Sequence, residues 1–480
     1  LRAKTLVLVL AVAVLAVTIW PARQLGTEFM PNLDEGTLLY MPTTLPGISV
    51  TKAAELMQMQ NRIIRSFPEV ASVYGKAGRA STATDPAPTE MFETVVNLKP
   101  KQDWRKGLTV DGLIAEMDKA LQFPGVSNAW TMPIKARIDM LSTGIRTPVG
   151  VKVIGTDLVE IDRLAKQIEQ VLKAVPGTSS AYAERGIGGY YLEITPDRPA
   201  LARYGMMIGD VQDAIATALG GQTVTTTVEG RQRFTVNMRY PRDLRDNPKA
   251  IADDILVPMP AGGAVPLGEV ATIKLARGPT TIRTENGQLA TYVYVDIRDR
   301  DLGGYVKDAQ HAVQASIAFP AGYYVIWSGQ YEYLERATAR LRIVVPVTLL
   351  IIFLLLYLNF RSIAETLIVM LSLPFALVGG LWLMWWLGFN LSVAVAVGFI
   401  ALAGVAAETG VVMLIYLNHA WEAVAQRRAA EGRSPTREDL YDAIMEGAVE
   451  RVRPEMMTVV AVMAGETRLN RGAGGAGGGE

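Results

Sequence analysis

Long apolar segments separated by polar stretches dominate the pattern of this chain. Four of them approach the roughly 20 residues that a membrane-crossing helix needs, and a shorter fifth follows: 1–20, 343–360, 367–389, 391–417 and 456–464. The polar region 21–341 is far too long for a loop. The pattern therefore predicts an all-α transmembrane bundle that carries one large soluble part.

Basic residues indicate how these segments cross the membrane, because Lys and Arg concentrate in loops that stay in the cytoplasm. They occur at the very start of the first segment, in the link 359–366 and after Leu417 (Arg2, Lys4, Arg361, Arg427, Arg428, Arg433, Arg437, Arg451 and Arg453). This distribution predicts that 418–454 is cytoplasmic and that 21–341 is exterior. The first segment lacks a small-residue cleavage site, so we expect a retained anchor and not a signal peptide.

Two stretches of the exterior part, 47–78 and 155–186, align without gaps. Gly47, Pro68 and Tyr74 of the first stretch recur 108 positions later as Gly155, Pro176 and Tyr182. Each stretch has the pattern of a strand, an amphipathic helix and a strand. A second helix with a Phe-Pro ending follows in each copy, at 109–124 and 303–320, and a short apolar strand follows each (126–130 and 323–327). We predict two βαββαβ units of ferredoxin-like, α+β class.

The second copy contains an insertion. Pro68 to Pro124 spans 56 positions, whereas Pro176 to Pro320 spans 144, a difference of 144 − 56 = 88. The extra block has a helix pattern at 209–219 and a hairpin pattern around Gly230. The predicted organisation is a first unit at 21–145, a split second unit at 146–197 and 283–335, an inserted subdomain at 198–282, and the membrane part at 336–465.

Composition excludes several classes of function. Half of the residues are hydrophobic, and 47 basic residues balance 47 acidic ones, so charge does not favour a nucleic-acid partner. The absence of cysteine excludes disulfides, Cys-based metal sites and thiol nucleophiles, and two histidines, His311 and His419, exclude a His-rich site. The chain has no GxxxxGK[ST] loop, which argues against nucleotide-driven transport. We expect no bound cofactor.

One carboxylate, Glu408, lies midway through the apolar segment 391–417. Such a charge costs about 2.5 kcal/mol or more at the centre of a membrane helix, so its default interpretation is functional. Small residues nearby would let another helix approach closely (Gly404, Ala406, Ala407 and Gly410). We expect Glu408 to be buried in a helix bundle; the structural alternative is a helix-end residue that snorkels.

The predicted architecture resembles one half of a resistance-nodulation-division (RND) efflux pump. The resemblance covers about residues 1–465 and is strongest in TEFMPNLDEGTLLYMPTTLPG (27–47), RIDMLSTGIRTPVGVKV (137–153), FALVGG (375–380) and GFIALAGVAAETGVVML (398–414). These motifs are most similar to the heavy-metal branch, in particular copper and silver exporters. The resemblance implies a C-terminal half with two porter subdomains and an inserted docking subdomain. Its fifth span would end early, in a Gly-rich, non-native-looking tail at 466–480.

A three-methionine metal site is part of what this resemblance implies. The matching motifs LLYMPTTLPG, TEMFET and RIDMLSTG contain Met41, Met91 and Met140, each on or at the end of a predicted strand. Thioethers are soft, neutral ligands that favour Cu(I) and similar ions. The alternative is core packing, since methionine commonly fills gaps. We expect packing for six other methionines (Met57, Met59, Met206, Met207, Met238 and Met259).

Charged residues near these methionines are weaker candidates. Glu93 lies two residues beyond Met91 and projects to the same side of a strand. It could tune or relay the ion, or it is a solvated surface charge. For Asp85, Arg137 and Arg146 we expect salt-bridged surface positions, with the cleft as the alternative.

The resemblance implies proton-driven efflux of Cu(I) and Ag(I), with Glu408 in a proton relay and no covalent chemistry. It also implies a homotrimer in the bacterial inner membrane, a periplasmic exterior, and as partners a periplasmic adaptor and an outer-membrane channel. Relay partners in an N-terminal half are required, so the chain alone should not pump. Two alternatives stay open. One is export of divalent zinc, cobalt, nickel or cadmium, for which Asp34, Glu35 and Asp139 are candidate ligands; the other is a membrane-anchored interaction module without transport.

Overall fold

The computed structural model describes residues 3–30, 34–78, 88–279 and 281–473. It begins with helix α1 (Lys4–Gln24), which is apolar along its length and exposed on most of its surface. Pro21 lies in its last turn, and the chain leaves the helix in extended conformation at Leu25. The first apolar segment is therefore one continuous helix that extends slightly beyond its expected end at residue 20.

The first unit is a four-stranded antiparallel sheet with two helices. Its elements are β1 (Thr37–Tyr40), α2 (Val50–Arg65), β2 (Val70–Ala77), β3 (Phe92–Leu98), α3 (Val110–Ala120) and β4 (Trp130–Thr131), and the strand order is β2-β3-β1-β4. Ser49 and Thr109 cap the two helices by accepting hydrogen bonds from backbone N–H groups one turn later. The apolar faces of the helices pack on the sheet around Tyr40, Leu113 and Met117, which are fully buried.

A short helix, α4 (Pro133–Thr143), follows the first unit. Pro133 occupies its first turn, where a missing N–H is tolerated, and Gly144 ends it with a φ of 75°. The prediction that Met140 lies on or at the end of a strand is therefore wrong. Ala136, Asp139 and Thr143 are the buried positions, and their spacing of three and four residues is helical.

The second unit has the same strand order as the first. Its elements are β5 (Val149–Gly155), α5 (Leu158–Lys173) and β6 (Thr178–Ala183), and, beyond an insertion, β13 (Arg283–Glu285), β14 (Gln288–Ile297), α10 (Leu302–Ser316) and β15 (Tyr324–Gly329). The strands pair as β15-β5-β14-β6, and the short β13 also pairs with β14. Leu164, Val293 and Tyr305 are fully buried in its core. The topological repeat thus follows the 108-residue sequence repeat.

The inserted block has a core of its own. Its elements are β7 (Ile187–Pro196), α6 (Arg198–Arg203), α7 (Ile208–Ile215), β8 (Gln222–Glu229), β9 (Gln232–Met238), α8 (Pro248–Asp254), β10 (Leu256–Pro258), β11 (Ala264–Pro266), α9 (Leu267–Val270) and β12 (Ala271–Pro279). Val211, Ile255 and Leu267 are fully buried together. Strands β7 and β12 pair along their length and connect the block to the second unit. The hairpin around Gly230 has both strands exposed.

Three of the six methionines expected to pack are instead exposed. Met59 is 49% exposed, Met207 76% and Met238 55%. Met206 is buried in the core of the inserted block, where Met259 packs beside it. The expectation failed for these three because residue type alone does not show which side of an element is covered, and many apolar side chains stay exposed in folded proteins.

The membrane part contains four further helices, α11 (Gln330–Phe360), α12 (Ile363–Leu387), α13 (Val393–Ala430) and α14 (Arg437–Ala473). Within the described part of the chain, four helices are long and apolar enough to cross a membrane: α1, α11, α12 and α13. Helix α11 begins 13 residues before the predicted apolar segment at 343. Most of the segment 418–454 is helical, because α13 and α14 extend into it, and Arg428 binds Asp439 across their junction.

The link 25–30 joins the membrane helices to the second unit. The backbone N–H of Thr27 donates to Asp301 at 3.0 Å, and Asn390 donates to the carboxylate of Glu28 at 3.1 Å. Inside the bundle, the Trp382 indole donates to Thr18 of α1 at 2.9 Å. These contacts fix the base of the soluble part on the α12–α13 connection.

Candidate functional site

The three predicted methionines lie in one contact cluster. Met41 follows β1, Met91 precedes β3 and Met140 lies on α4, and they pack together with four apolar neighbours (Leu39, Val95, Ala129 and Ala136). Met41 is fully buried and Met91 is 9% exposed. Two strand ends and a helix therefore bring together three thioethers that are about 50 residues apart in sequence.

A cavity of about 140 Å³ borders this cluster at the boundary of the two units. Met91, Met140 and Glu93 line it from one side, and Tyr182 and Tyr294 of the second unit line it from the other. Met41 lies behind this lining layer, in contact with the cluster but not at the cavity surface. The cavity thus offers two thioethers directly and a third behind them.

Three acidic residues, Glu90, Glu93 and Glu184, line this cavity, and two of them form ion pairs. Glu93 lines it beside Met91, as strand alternation predicts, but its carboxylate pairs with Lys76 at 3.1 Å. Glu184 pairs with Arg283 at 2.8 Å. Among the described residues no group of three or more His, Cys, Asp or Glu side chains is arranged to hold a metal ion. The sulfurs are therefore the distinctive ligand chemistry of the cavity.

Arg146 is the unexpected member of the site. It is only 8% exposed, and its guanidinium donates from Nη1 to the Met91 sulfur at 2.8 Å and from Nη2 to the Thr43 hydroxyl at 2.6 Å. The group also lies 4.2 Å from the centre of the Tyr294 ring. The prediction of a surface salt bridge is therefore wrong for Arg146. The sequence carried a signal of this burial, because Ile145 and Thr147 on either side of Arg146 lie in a stretch without other charged residues.

Of the other two charged candidates, Arg137 and Asp85, the structure describes only Arg137. Arg137 is exposed and lines the cavity, so it occupies the cleft position that was the alternative. Asp85 lies outside the described residues.

A second cavity, of about 540 Å³, lies on the other side of α4. Lys135, Asp139, Asp296 and Gln330 line it, and Arg146 lines it as well as the first cavity. Gln330, in the first turn of α11, donates to Asp139 at 3.1 Å. Burial lowers the pKa of Lys135, raises that of Asp139, and raises that of Asp296 to about 6. Sequence patterns did not identify Asp296 or Gln330 as candidates. The only signal for Asp296 was its position as a polar residue near the end of the apolar strand β14.

Asp296 should make the stability of the chain depend on pH. Because its pKa in the folded chain is about 6, above the ordinary 3.8, the folded state favours the protonated form. This contribution to stability is complete below about pH 4 and is lost as the pH rises through 6. We expect Asp296→Asn to raise the free energy of unfolding by about 2 kcal/mol at pH 8 and by little at pH 4.

Urea titrations of the detergent-solubilised chain at both pH values would measure this difference. Asp299→Asn, at an exposed neighbouring position, is the control. An equal gain for Asp296→Asn at pH 4 and pH 8 would contradict the assignment.

Glu408 is exposed in this chain and has no hydrogen-bond or ion-pair partner among the described residues. The expectation of burial is therefore wrong for this polypeptide by itself. Gly410, two positions on, lies against Val369 of α12, whereas a side chain at Gly404 would meet no neighbour outside α13 within 4 Å among the described residues. Gly404 and Glu408 are one turn apart and share a face. That face of α13 is one that α12 does not cover.

The chain matches the model of the AcrB/AcrD/AcrF family over residues 1–478. It is 50% identical over 472 residues to the cation efflux system protein CusA of Escherichia coli (strain K12) and, over the same length, to the putative cation efflux system protein SilA of Salmonella typhimurium. Each alignment covers 98% of this chain and 45% of the relative. The cation efflux system protein CzcA of Alcaligenes sp. (strain CT14) is 36% identical over 452 residues, with 92% and 41% covered.

Solved structures agree with these relatives. An X-ray crystal structure of a heavy metal efflux pump superimposes with a TM-score of 0.82 at 31% identity, and covers 94% of this chain and 45% of that one. The chain therefore spans a little under half the length of the proteins that it matches.

Proposed function

Because this chain belongs to the AcrB/AcrD/AcrF family of RND proteins, we propose that it is part of a transporter that exports Cu(I) and Ag(I) from the cell. The observation that carries the proposal is the cluster of Met41, Met91 and Met140 beside the cavity between the two units. The similarity to relatives named as cation efflux proteins supports efflux of a metal ion.

The ligand set supports a soft monovalent ion. Three neutral sulfurs neither add charge nor release a proton when an ion binds, and thioethers select Cu(I) over harder ions. A buried cation without anionic ligands is less costly with one charge than with two. Glu93 is held by Lys76 and so supplies a nearby charge that is already balanced.

We further propose that transport is secondary and proton-driven, with Glu408 as a proton-carrying group. The uncovered face of α13 around Gly404 supports this role, because a partner helix could approach the carboxylate there. The chain covers 45% of CusA, and on the resemblance of its motifs we assign it to the C-terminal half of such a transporter, in which the other half would supply that helix. The chain alone should then bind metal without pumping it.

The rest of the assignment follows the family. We propose that the two units are porter subdomains in the periplasm and that the inserted block, which has its own core, is a docking subdomain. The bundle would lie in the bacterial inner membrane. The functional assembly would be a homotrimer that works with a periplasmic adaptor and an outer-membrane channel.

Divalent export is the second candidate, because a relative named as the cobalt-zinc-cadmium resistance protein CzcA, from Cupriavidus metallidurans, is 36% identical to this chain over 452 residues. The candidate ligands for a divalent ion, however, already bind other groups of the chain. Asp34 pairs with Lys101, Glu35 accepts hydrogen bonds from the first backbone N–H groups of α4, and Asp139 binds Gln330. Freeing Glu35 would uncap α4 and freeing Asp139 would break its contact with α11, so we prefer the monovalent ion.

Titration of the 480-residue chain in detergent micelles with Ag(I), with Cu(I) under anaerobic reducing conditions, and with Zn(II) tests the proposal. We expect tight binding of one monovalent ion and weak binding of Zn(II). Tighter binding of Zn(II) would support the divalent exporter, and no binding of any ion would support the interaction module without transport.

A further inference from the structure

Arg146 is a buried cation without an anionic partner. Its neighbours are the Met91 sulfur, the Thr43 hydroxyl and the face of Tyr294, and no carboxylate in the described part of the chain pairs with it. Its Nε–H, also buried, has no acceptor. Burying a charge is costly unless the charge is paired, so this arrangement calls for a functional explanation.

The position of the Arg146 guanidinium suggests a functional explanation for its burial. Its Nη1–H group points at the sulfur of a methionine that lines the candidate metal cavity. A bound Cu(I) or Ag(I) would need the electron pair to which this N–H donates. Two positive charges a few ångströms apart would also repel each other strongly in a site with little water.

We propose that Arg146 is a resident cation of the methionine site, which competes with the transported ion for the Met91 sulfur and withdraws when that ion binds. This inference rests on the proposed function. In this role Arg146 sets the affinity of the site for the transported ion and the release of that ion, without being a ligand itself.

A path for the withdrawal is present. Arg146 lines both the 140 Å³ cavity and the 540 Å³ cavity, which is bordered by the carboxylates of Asp139 and Asp296. On this proposal the guanidinium turns toward the second cavity, where the carboxylates of Asp139 and Asp296 are its candidate acceptors. Charge-assisted hydrogen bonds there would be stronger than the bond to a thioether.

The consequence for transport is easier release. An ion that binds three thioethers in a buried site would dissociate slowly, and an exporter needs the ion to leave. Return of Arg146 to Met91 restores a positive charge beside the ion and displaces it. The same repulsion acts more strongly on a divalent ion, which would favour monovalent cargo.

Ag(I) binding by the full chain in detergent, measured by competition with a chelator of known affinity, tests the inference. We expect Arg146→Gln to bind Ag(I) about tenfold more tightly, because a hydrogen bond from a charged donor no longer has to be broken. Arg146→Lys keeps the charge but loses the planar, two-pronged donor, so it should tighten binding less than Arg146→Gln does. Thr43→Val removes the acceptor that holds Nη2 and should give roughly threefold tighter binding with Arg146 still in place.

The competition predicts that these effects depend on the sulfur. In a Met91→Leu background, Arg146→Gln should tighten binding clearly less than it does in the parent, because only the charge repulsion is then left to relieve, and this non-additivity would not arise if Arg146 only supported the fold. If the parent binds no Ag(I), the proposed function fails. If the parent binds Ag(I) but neither Arg146→Gln nor Thr43→Val tightens binding, the resident-cation inference is overturned and the proposed function stands.

Discussion

Replacement of Met41, Met91 and Met140 together by leucine should abolish tight binding of Ag(I) and Cu(I). Leucine has nearly the volume of methionine, and such exchanges usually cost less than about 1.5 kcal/mol each in a core. The cluster should therefore remain packed while it loses all three sulfurs. Loss of groups that merely orient ligands weakens metal binding by about 10- to 100-fold, so loss of three ligands should exceed 100-fold.

The same titrations in detergent measure this effect. A matched control replaces Met206 of the inserted core and the exposed Met59 of α2 by leucine, which changes sulfur content without touching the cluster. Affinity should then match the parent. Unchanged Ag(I) affinity in the triple variant, with an unchanged melting temperature, would show that the cluster is ordinary core packing.

Single variants should separate the roles of the three methionines. Met91 and Met140 line the cavity directly, whereas Met41 lies behind them. Met91→Leu also removes the acceptor of Arg146, so its effect combines a lost ligand with a released competitor. We therefore expect Met140→Leu to weaken binding more than Met91→Leu does.

Glu408→Gln should eliminate transport while leaving metal binding intact. Glutamine has nearly the shape of glutamate but cannot exchange a proton, so any cycle that needs protonation and deprotonation at this position stops. The carboxylate is in the membrane part, far along the chain from the methionine cluster, and has no partner in the described residues whose loss would disturb that cluster. In the complete transporter we expect the rate of Ag(I) export to fall by roughly tenfold or more, equivalent to about 1.4 kcal/mol or more in the barrier.

Two measurements together test this prediction. Export is followed in proteoliposomes that contain the complete transporter under an imposed pH gradient, and Ag(I) binding is followed in detergent. Glu422→Gln, at an exposed position nearer the end of α13, is the matched control and should transport normally. Normal export by Glu408→Gln would remove this residue from the proton pathway, and lost binding would indicate a structural defect instead.

Regular elements and their repeat were predictable because their signals are local. An apolar run of about 20 residues identifies a membrane helix by itself, and the 108-residue offset of Gly47, Pro68 and Tyr74 reflects two segments with the same helix and strand periods. The two sheets have equivalent strand orders because similar patterns of amphipathic helices and strands pack in the same way. The helix around Met140 was missed since α4 is short and its buried positions include polar residues.

Burial of charged groups was less predictable, because it depends on what distant segments place around them. Arg146 follows a helix and precedes a strand, which is typical of a surface loop. Thr43 and Tyr294, its neighbours in space, lie 103 and 148 positions away. Glu408 is the opposite case. Its apolar neighbours in sequence predict burial, but it is exposed because α12 packs on the other side of α13, near Gly410.

The sequence by itself determined the membrane helices, the duplicated units, the insertion and, through family motifs, the three methionines. Each of these depends on residue type and on spacing within one segment, which the chain carries wherever it folds. Only the tertiary structure decided that the three sulfurs share one cluster, that Arg146 donates to one of them between two cavities, and that Glu408 lies on an uncovered helix face. Those arrangements arise when segments separated by 50 to 150 residues pack together, and the free energy of packing depends on all of the surfaces that meet.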